Sequence, residues 1–190
     1  MKKEIIKSIR QSIESIRSLE EQVDVLQKTA ELAVSTIKSG GTIFITGNGG
    51  SAADAQHMAA ELIGKLGMGI ERKPLPAIAL STDTSIITAI SNDFGFDRIF
   101  SKQIEALADK KDLLLAISTS GESRNIVEAV KVAKRKGMRV VLLMGSKDSI
   151  LENMADIVIK IQGNNTPRIQ EGHQATIHIL CQLIESQFVK

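Results

Sequence analysis

The sequence predicts an α/β protein: a doubly wound, flavodoxin-like sheet of five parallel strands flanked by helices, preceded by a helical extension used in oligomerisation. Three observations carry this. Five short runs are apolar without interruption rather than alternating, as suits strands covered on both faces. Segments of helical periodicity lie between those runs, and such alternation builds a parallel sheet. Finally, residues 3–37 contain neither Gly nor Pro, so the first fifth of the chain reads as continuous helix.

In that first segment apolar residues fall at Ile5, Ile9, Ile13, Ile16, Leu19, Val23, Leu26, Ala30, Ala33 and Ile37. Spacings of three and four mark an amphipathic helix, or two helices broken near Asp24. The stripe is too long for a free monomeric arm and predicts packing on the domain and on other copies of the chain. After Gly40-Gly41 the strands are expected at TIFITG (42–47), PAIALS (76–81), DLLLAIS (112–118), RVVLLMG (139–145) and DIVIKI (156–161). Helices are expected over 52–66, 85–91, 100–108, 123–136 and from about 168 to 189. Neither an internal repeat nor a linker divides the core, so residues 1–190 form one domain, with 1–38 as extension and 39–190 as α/β core.

Composition excludes several functions. A formal charge of +2, no Trp, no Tyr and five Phe leave neither a basic surface nor a stacking platform for nucleic acid. The basic start MKKEIIKSIR turns polar again at once, without an apolar stretch of signal or membrane-spanning length. A cytoplasmic protein with no membrane partner is expected. Cys181 stands alone among Ile179, Leu180, Leu183 and Ile184, which precludes an internal disulfide and predicts a buried filler.

In open parallel sheets ligands bind beyond the carboxyl ends of the strands, near the point where strand order reverses. Two loops at strand ends therefore matter. GNGGS (47–51) lets the backbone turn tightly and approach a ligand, but lacks the spacing of a dinucleotide or nucleotide-phosphate loop. STSGES (118–123) gathers the hydroxyls of Ser118, Thr119, Ser120 and Ser123 before a helix whose N-terminal N–H groups favour an anion. The same residues also suit turns and helix caps; the second glycine-rich loop favours the anion.

The helix after GNGGS contains His57 and Glu61, about 40° apart around a helix and about 6 Å along it. Such a pair binds a metal, divides acid and base duties, or lies exposed as an ordinary polar pair. RIQEGHQATIHIL adds Gln170, Glu171, His173 and His178 near the C-terminus. A histidine set among Ile177, Ile179 and Leu180 is by default a core residue; the company of the other two histidines argues for more.

Taken together, GNGGSAADAQHMAAEL, SNDFGFDRIF, ISTSGESRN and RIQEGHQATIHIL, in this order, resemble the phosphoheptose isomerase family of the sugar isomerase (SIS) domain superfamily, over essentially the whole chain. The resemblance implies a cytosolic homotetramer with an SIS fold that interconverts sedoheptulose 7-phosphate and D-glycero-D-manno-heptose 7-phosphate through an enediolate. That reaction is the first step toward the ADP-heptose of lipopolysaccharide cores. It implies that Ser118, Thr119, Ser120 and Ser123 hold the phosphate, and that Asn48, Gly49, Gly50, Ser51, Asn92, Asp93 and Gln170 contact the sugar. Glu61 is implied as base and His178 as its acid partner, with zinc on His57, Glu61, Gln170 and His178. On one regular helix Gln170 and His178 stand about 12 Å apart along the axis. The expectation is therefore either a helix that begins after Gln170, with a break at Gly172, or ligands from different subunits. Two alternatives share the fold: a non-catalytic tetramer that binds a replication initiator as an adaptor, and an isomerase of another phosphosugar.

Overall fold

The computed structural model describes residues 1–67 and 71–189. Its strands are β1 (Ile43–Thr46), β2 (Ala77–Ala79), β3 (Leu113–Ser118), β4 (Arg139–Gly145) and β5 (Ile157–Ile161), all parallel in the order β2-β1-β3-β4-β5. The helices are α1 (Lys2–Arg17), α2 (Val23–Lys38), α3 (Gly50–Ile63), α4 (Thr84–Phe94), α5 (Ser101–Leu107), α6 (Arg124–Arg135) and α7 (Thr166–Glu185). Strand order reverses between β1 and β3. The chain leaves β1 toward one edge and β3 toward the other, so the loops after these two strands share the crevice where such sheets bind ligands.

Each apolar run is divided between two cores because successive strand side chains point to opposite faces. Ile43, Ile45, Leu113, Leu115, Val141, Leu143 and Ile159 pack with Ala55, Met58 and Leu62 of α3 and Ile177, Leu180 and Ile184 of α7. Phe44, Leu114, Ala116, Val140 and Leu142 face the other way, against Phe100, Ile104, Ile126, Ala129 and Ala133. Burial of each such side chain contributes about 1.5–3 kcal/mol. Cys181 is buried as expected, and burial pushes its thiol up to about 12.

The N-terminal extension does break near Asp24, at a short 3₁₀ turn over Ser18–Gln22 after which α2 begins at Val23. There the side-chain amide of Gln22 pairs with both backbone groups of Lys160: its Nε2 donates to the carbonyl, and its Oε1 accepts the N–H at 2.9 Å. The exposed edge of β5 is thereby partly satisfied from within the chain. Along α1, Ile5, Ile6, Ile9, Ile13 and Ile16 remain largely exposed. No helix among the described residues is long and apolar enough to cross a membrane.

Of the two alternatives for Gln170 and His178, the break at Gly172 is absent. α7 runs uninterrupted from Thr166 to Glu185, with Asn165 accepting the Arg168 N–H at 3.2 Å and Pro167 in the first turn, where its missing N–H is harmless. Gly172 instead allows a close approach. A Cβ there would lie 2.3 Å from Ile161 Cγ2 and 3.1 Å from the Oγ of Ser15, which donates to the Arg168 carbonyl at 2.7 Å. Small residues thus let α1 and β5 close on α7.

The next residue, His173, is completely buried, and neither ring nitrogen has a hydrogen-bond partner. Burial pushes its pKa down to about 4, only partly offset by the nearby Met144 backbone, which lies outside bonding geometry. The folded state therefore holds the ring neutral, while the unfolded state protonates it near pH 6.5. Stability is unaffected by this group above pH 6.5, falls as pH drops from there, and has lost about 3 kcal/mol below pH 4. His173→Met is expected to lose less stability than the parent between pH 7 and pH 4.5, measured as the urea midpoint by circular dichroism at fixed protein concentration. Equal losses would show that His173 is not buried neutral.

Candidate active site

A helix that follows a parallel strand must run back along the sheet. α3 follows β1 and α7 follows β5, so the two lie parallel with their N-termini at the same sheet end. Both pack on the same face of the sheet and on each other. Their side chains meet in matching order. At the N-terminal end the Gln170 amide lies against Gly50, where a Cβ would come within 2.4 Å of its Nε2. About two turns further along both helices, His57 Nε2 and His178 Nε2 are 3.4 Å apart, the rings edge to face with centroids 4.9 Å apart. One turn beyond His57, Glu61 places Oε1 3.1 Å from His57 Nε2. The three groups are partly exposed rather than sealed in the core.

His57 is thus the middle of a short chain that reaches Glu61 on one side and His178 on the other. Around a tetrahedral zinc ion, bonds of about 2.0–2.1 Å separate neighbouring donor atoms by about 3.3 Å. The separations of 3.1 and 3.4 Å, both measured from His57 Nε2, match that spacing for two pairs of donors of the types zinc takes. Among the described residues no three His, Cys, Asp or Glu side chains already enclose a common point. Gln170 stands with Gly50, about 12 Å along the unbroken helix from His178, and does not join the other three within one chain.

At the crevice, Gly49 takes a φ of +55° as the chain enters α3, and Gly47 lets the first turn fold back; a Cβ on Gly47 would lie 2.2 Å from the Ser51 carbonyl. Ser51 is buried there. The Asn48 side chain is committed to a reciprocal amide pair with Asn125, each Nδ2 donating to the other's Oδ1 at 2.8 Å. That pair ties the β1 loop to the first turn of α6. Asn125, buried and preoccupied with this contact, was not singled out from the sequence; its place two residues after Ser123 in STSGESRN was the available sign.

In the neighbouring loop, Ser118 is buried, accepts the Gly121 N–H at 3.1 Å and lies 3.5 Å from the Ser123 hydroxyl. Ser123 occupies the cap position of α6 yet makes no side-chain cap bond, so its hydroxyl is not spent on the helix start. Ser120 accepts the Glu122 N–H at 3.2 Å. Thr119 lends its carbonyl to the Gly145 N–H at 3.2 Å. Gly121 adopts a φ of +68°, and its Cβ would strike Ser149 at 2.5 Å. The loop is held in shape by these bonds to its backbone, while the Ser118 and Ser123 hydroxyls lie toward one another at the start of α6.

Asn92 and Asp93 stand apart. They lie at the end of α4, which buries no residue, and Asn92 donates to Asp93 at 2.8 Å. A further acid sits one turn before His57: burial pushes Asp54 up to about 6, with His57 working against the rise, and its Oδ2 is buried without a partner. The spacing of Asp54 and His57 was visible in DAQH, although the desolvation was not.

Comparison with known proteins identifies the family to which this fold belongs. Residues 6–145 match the family described as SIS domain. A phosphoheptose isomerase of Aliarcobacter butzleri is 47% identical, over 98% of each chain. The structure of a phosphoheptose isomerase from Neisseria gonorrhoeae superposes with a TM-score of 0.90 at 41% identity, covering 97% of this chain and 98% of that one. One from Francisella tularensis gives 0.86 at 37%, covering 95% and 98%. Fold, site loops and near-complete coverage lead to one assignment: this chain belongs to the phosphoheptose isomerase family of SIS-domain proteins.

Proposed function

We propose that the protein interconverts sedoheptulose 7-phosphate and D-glycero-D-manno-heptose 7-phosphate, the step that opens the route to ADP-heptose for lipopolysaccharide cores. The observation that carries the proposal is the meeting of His57 and Glu61, four residues apart on α3, with His178, 121 residues further along the chain than His57, in a chain of this family. An adaptor that only binds another protein has no use for that meeting.

Aldose–ketose exchange moves one proton between adjacent carbons and relocates the carbonyl. In the proposed mechanism Ser118, Thr119, Ser120 and Ser123 bind the phosphate, the end of the sugar that does not react, so that binding energy there orients the carbonyl end. Glu61 removes the proton from the carbon bearing a hydroxyl beside the carbonyl. The electron pair left behind forms the enediolate, and Glu61 returns the proton to the former carbonyl carbon. His178 gives a proton to one sugar oxygen and takes one from the other, so charge and atoms balance over the cycle. Zinc held by His57, Glu61 and His178 would supply Lewis-acid stabilisation of the enediolate charge.

Within one chain the phosphate loop and Gly50 lie at the end of the sheet, whereas Glu61 is about 16 Å further along α3. We infer that copies of the chain, in the cytosolic homotetramer, combine the loops of one with the His57–Glu61–His178 group of another. The apolar stripe of α1 and the unburied α4 bearing Asn92 and Asp93 are the surfaces that support such an assembly.

Proton NMR of the protein with sedoheptulose 7-phosphate should show heptose anomeric signals growing in, faster with added zinc than with a chelator. No product from a folded oligomer under both conditions would refute the proposed reaction. Glu61→Gln is expected to keep the oligomer while lowering kcat about 10²–10⁴-fold, the range for a positioned base; near-normal turnover would remove Glu61 from that role. Light scattering is expected to give four times the chain mass. A mixture of Glu61→Gln with a Ser118→Ala/Ser123→Ala variant, dissociated and reassembled, should recover activity absent from either alone.

A further inference from the structure

Arg72 and Glu185 form a buried ion pair that the reaction does not use. Their side chains are 1% and 3% exposed, and Arg72 Nε donates to Glu185 Oε1 at 2.8 Å. Every other group of the pair is also engaged at the C-terminal end of α3. Arg72 Nη2 donates to the carbonyl of Glu61 at 2.8 Å, and Nη1 to those of Leu62 at 2.8 Å and Lys73 at 3.1 Å. Glu185 accepts the N–H groups of Leu66 at 3.2 Å and Gly67 at 3.3 Å. Burial alone would raise the Glu185 carboxyl, but these bonds to Arg72 and the two amides hold it below the usual range.

The placement matters because of what each end carries. The last carbonyls of a helix lack partners within it. α3 has no basic residue in its last turn, and the guanidinium of Arg72 serves two of its carbonyls, one belonging to Glu61 itself. Glu185 is the last residue of α7, seven positions after His178, hence about 20° from it around the helix and about 10.5 Å along it. The backbone that bears Glu61 and the helix that bears His178 are therefore joined through one guanidinium and one carboxylate.

Apolar packing of Met58 and Leu62 against Ile177, Cys181 and Ile184 holds α3 and α7 together, but hydrophobic contact is non-directional and tolerates sliding. Hydrogen bonds of fixed length do not. A buried ion pair is weak evidence of added stability, since desolvation offsets much of its attraction. What it provides that an apolar pair does not is a fixed axial register, and catalytic groups tolerate errors of only about 0.5 Å. We propose that Arg72 and Glu185 are positioning residues that set the register of α3 against α7 and so hold Glu61, His57 and His178 at reacting distances.

The proposal rests on the reading of those three side chains as the reacting group, and the test separates the two. The variants are Glu185→Gln, Arg72→Lys and the apolar pair Arg72→Met/Glu185→Leu, which removes both charges so that neither is left buried alone. Two readouts are taken on folded oligomer: kcat and KM for sedoheptulose 7-phosphate, and the ring Cε1–H NMR signals of the three histidines at fixed pH, assigned by single replacements. The apolar pair is expected to lower kcat about 10–100-fold, the usual effect of losing a partner that orients a reacting group, with KM changed less than about threefold. The His57 and His178 signals should shift while that of His173, packed beside Met144, stays in place. Arg72→Lys should keep the fold and recover part of the lost kcat. Unchanged kcat with unmoved ring signals in the apolar pair would overturn the proposal and leave the ion pair a staple. If the parent protein does not turn over the sugar, the proposed reaction fails, and the histidine signals alone still decide whether the clamp sets the register.

Discussion

Two helices that each follow a strand of a parallel sheet have their direction chosen for them, but not their register. In this chain α3 and α7 lie side by side on one face of the sheet, and the rest of the candidate site depends on how far one is displaced along the other. Gln170 meets Gly50, His178 meets His57, and Glu185 reaches the end of α3 through Arg72. The intervals along α7 are eight and seven residues, about 2.2 and 1.9 turns, so all three residues fall within about 80° of one side of the helix. A displacement of one residue rise, about 1.5 Å, would spoil all three meetings at once.

Such close alignment demands small residues where the chain converges. A side chain at Gly50 would displace the Gln170 amide, and one at Gly172 would collide with Ile161 and crowd Ser15. Helix propensity argues against glycine in the middle of α7, at a cost of about 1 kcal/mol relative to alanine. The close approach of α1, β5 and α7 offsets that cost. The same compactness explains the unusual state of two ionisable groups: His173 is enclosed without a partner and kept neutral, and Asp54 is desolvated beside His57. Tight packing around a polar pair and strained proton affinities nearby are two consequences of one arrangement.

Much of this was legible from residue spacing, because spacing reports local geometry. The five apolar runs became the five strands, and the four-residue interval between His57 and Glu61 did place them on one face at 3.1 Å. Gly172 misled because a glycine inside a helix reads equally as a break or a close approach, and only the position of Ile161 distinguishes them. Asn125 opposite Asn48 and Arg72 opposite Glu185 were invisible for a related reason: the partners are 77 and 113 residues apart, joined by topology that no local periodicity encodes. His178 was singled out by the company of the other histidines and by the family resemblance, not by its own apolar surroundings, which read as core.

Register also bears on why such a site would be divided between copies. The α3/α7 pair fixes the side chains proposed to react about two to three turns below the crevice, while the β1 and β3 loops that suit a phosphate are confined to the sheet end by the strands they terminate. Neither can move toward the other without breaking the helices or the sheet. Bringing a loop from a second copy against the partly exposed His57 and Glu61 joins the two without altering either, and needs only a surface by which copies adhere. In the proposed assembly that surface would be the exposed isoleucines of α1, which rests on α7 through Ser15 and Arg168. Under that proposal association and alignment of the reacting groups would act on the same helix, and an extension that only packs within one chain would become part of the chemistry in the assembly.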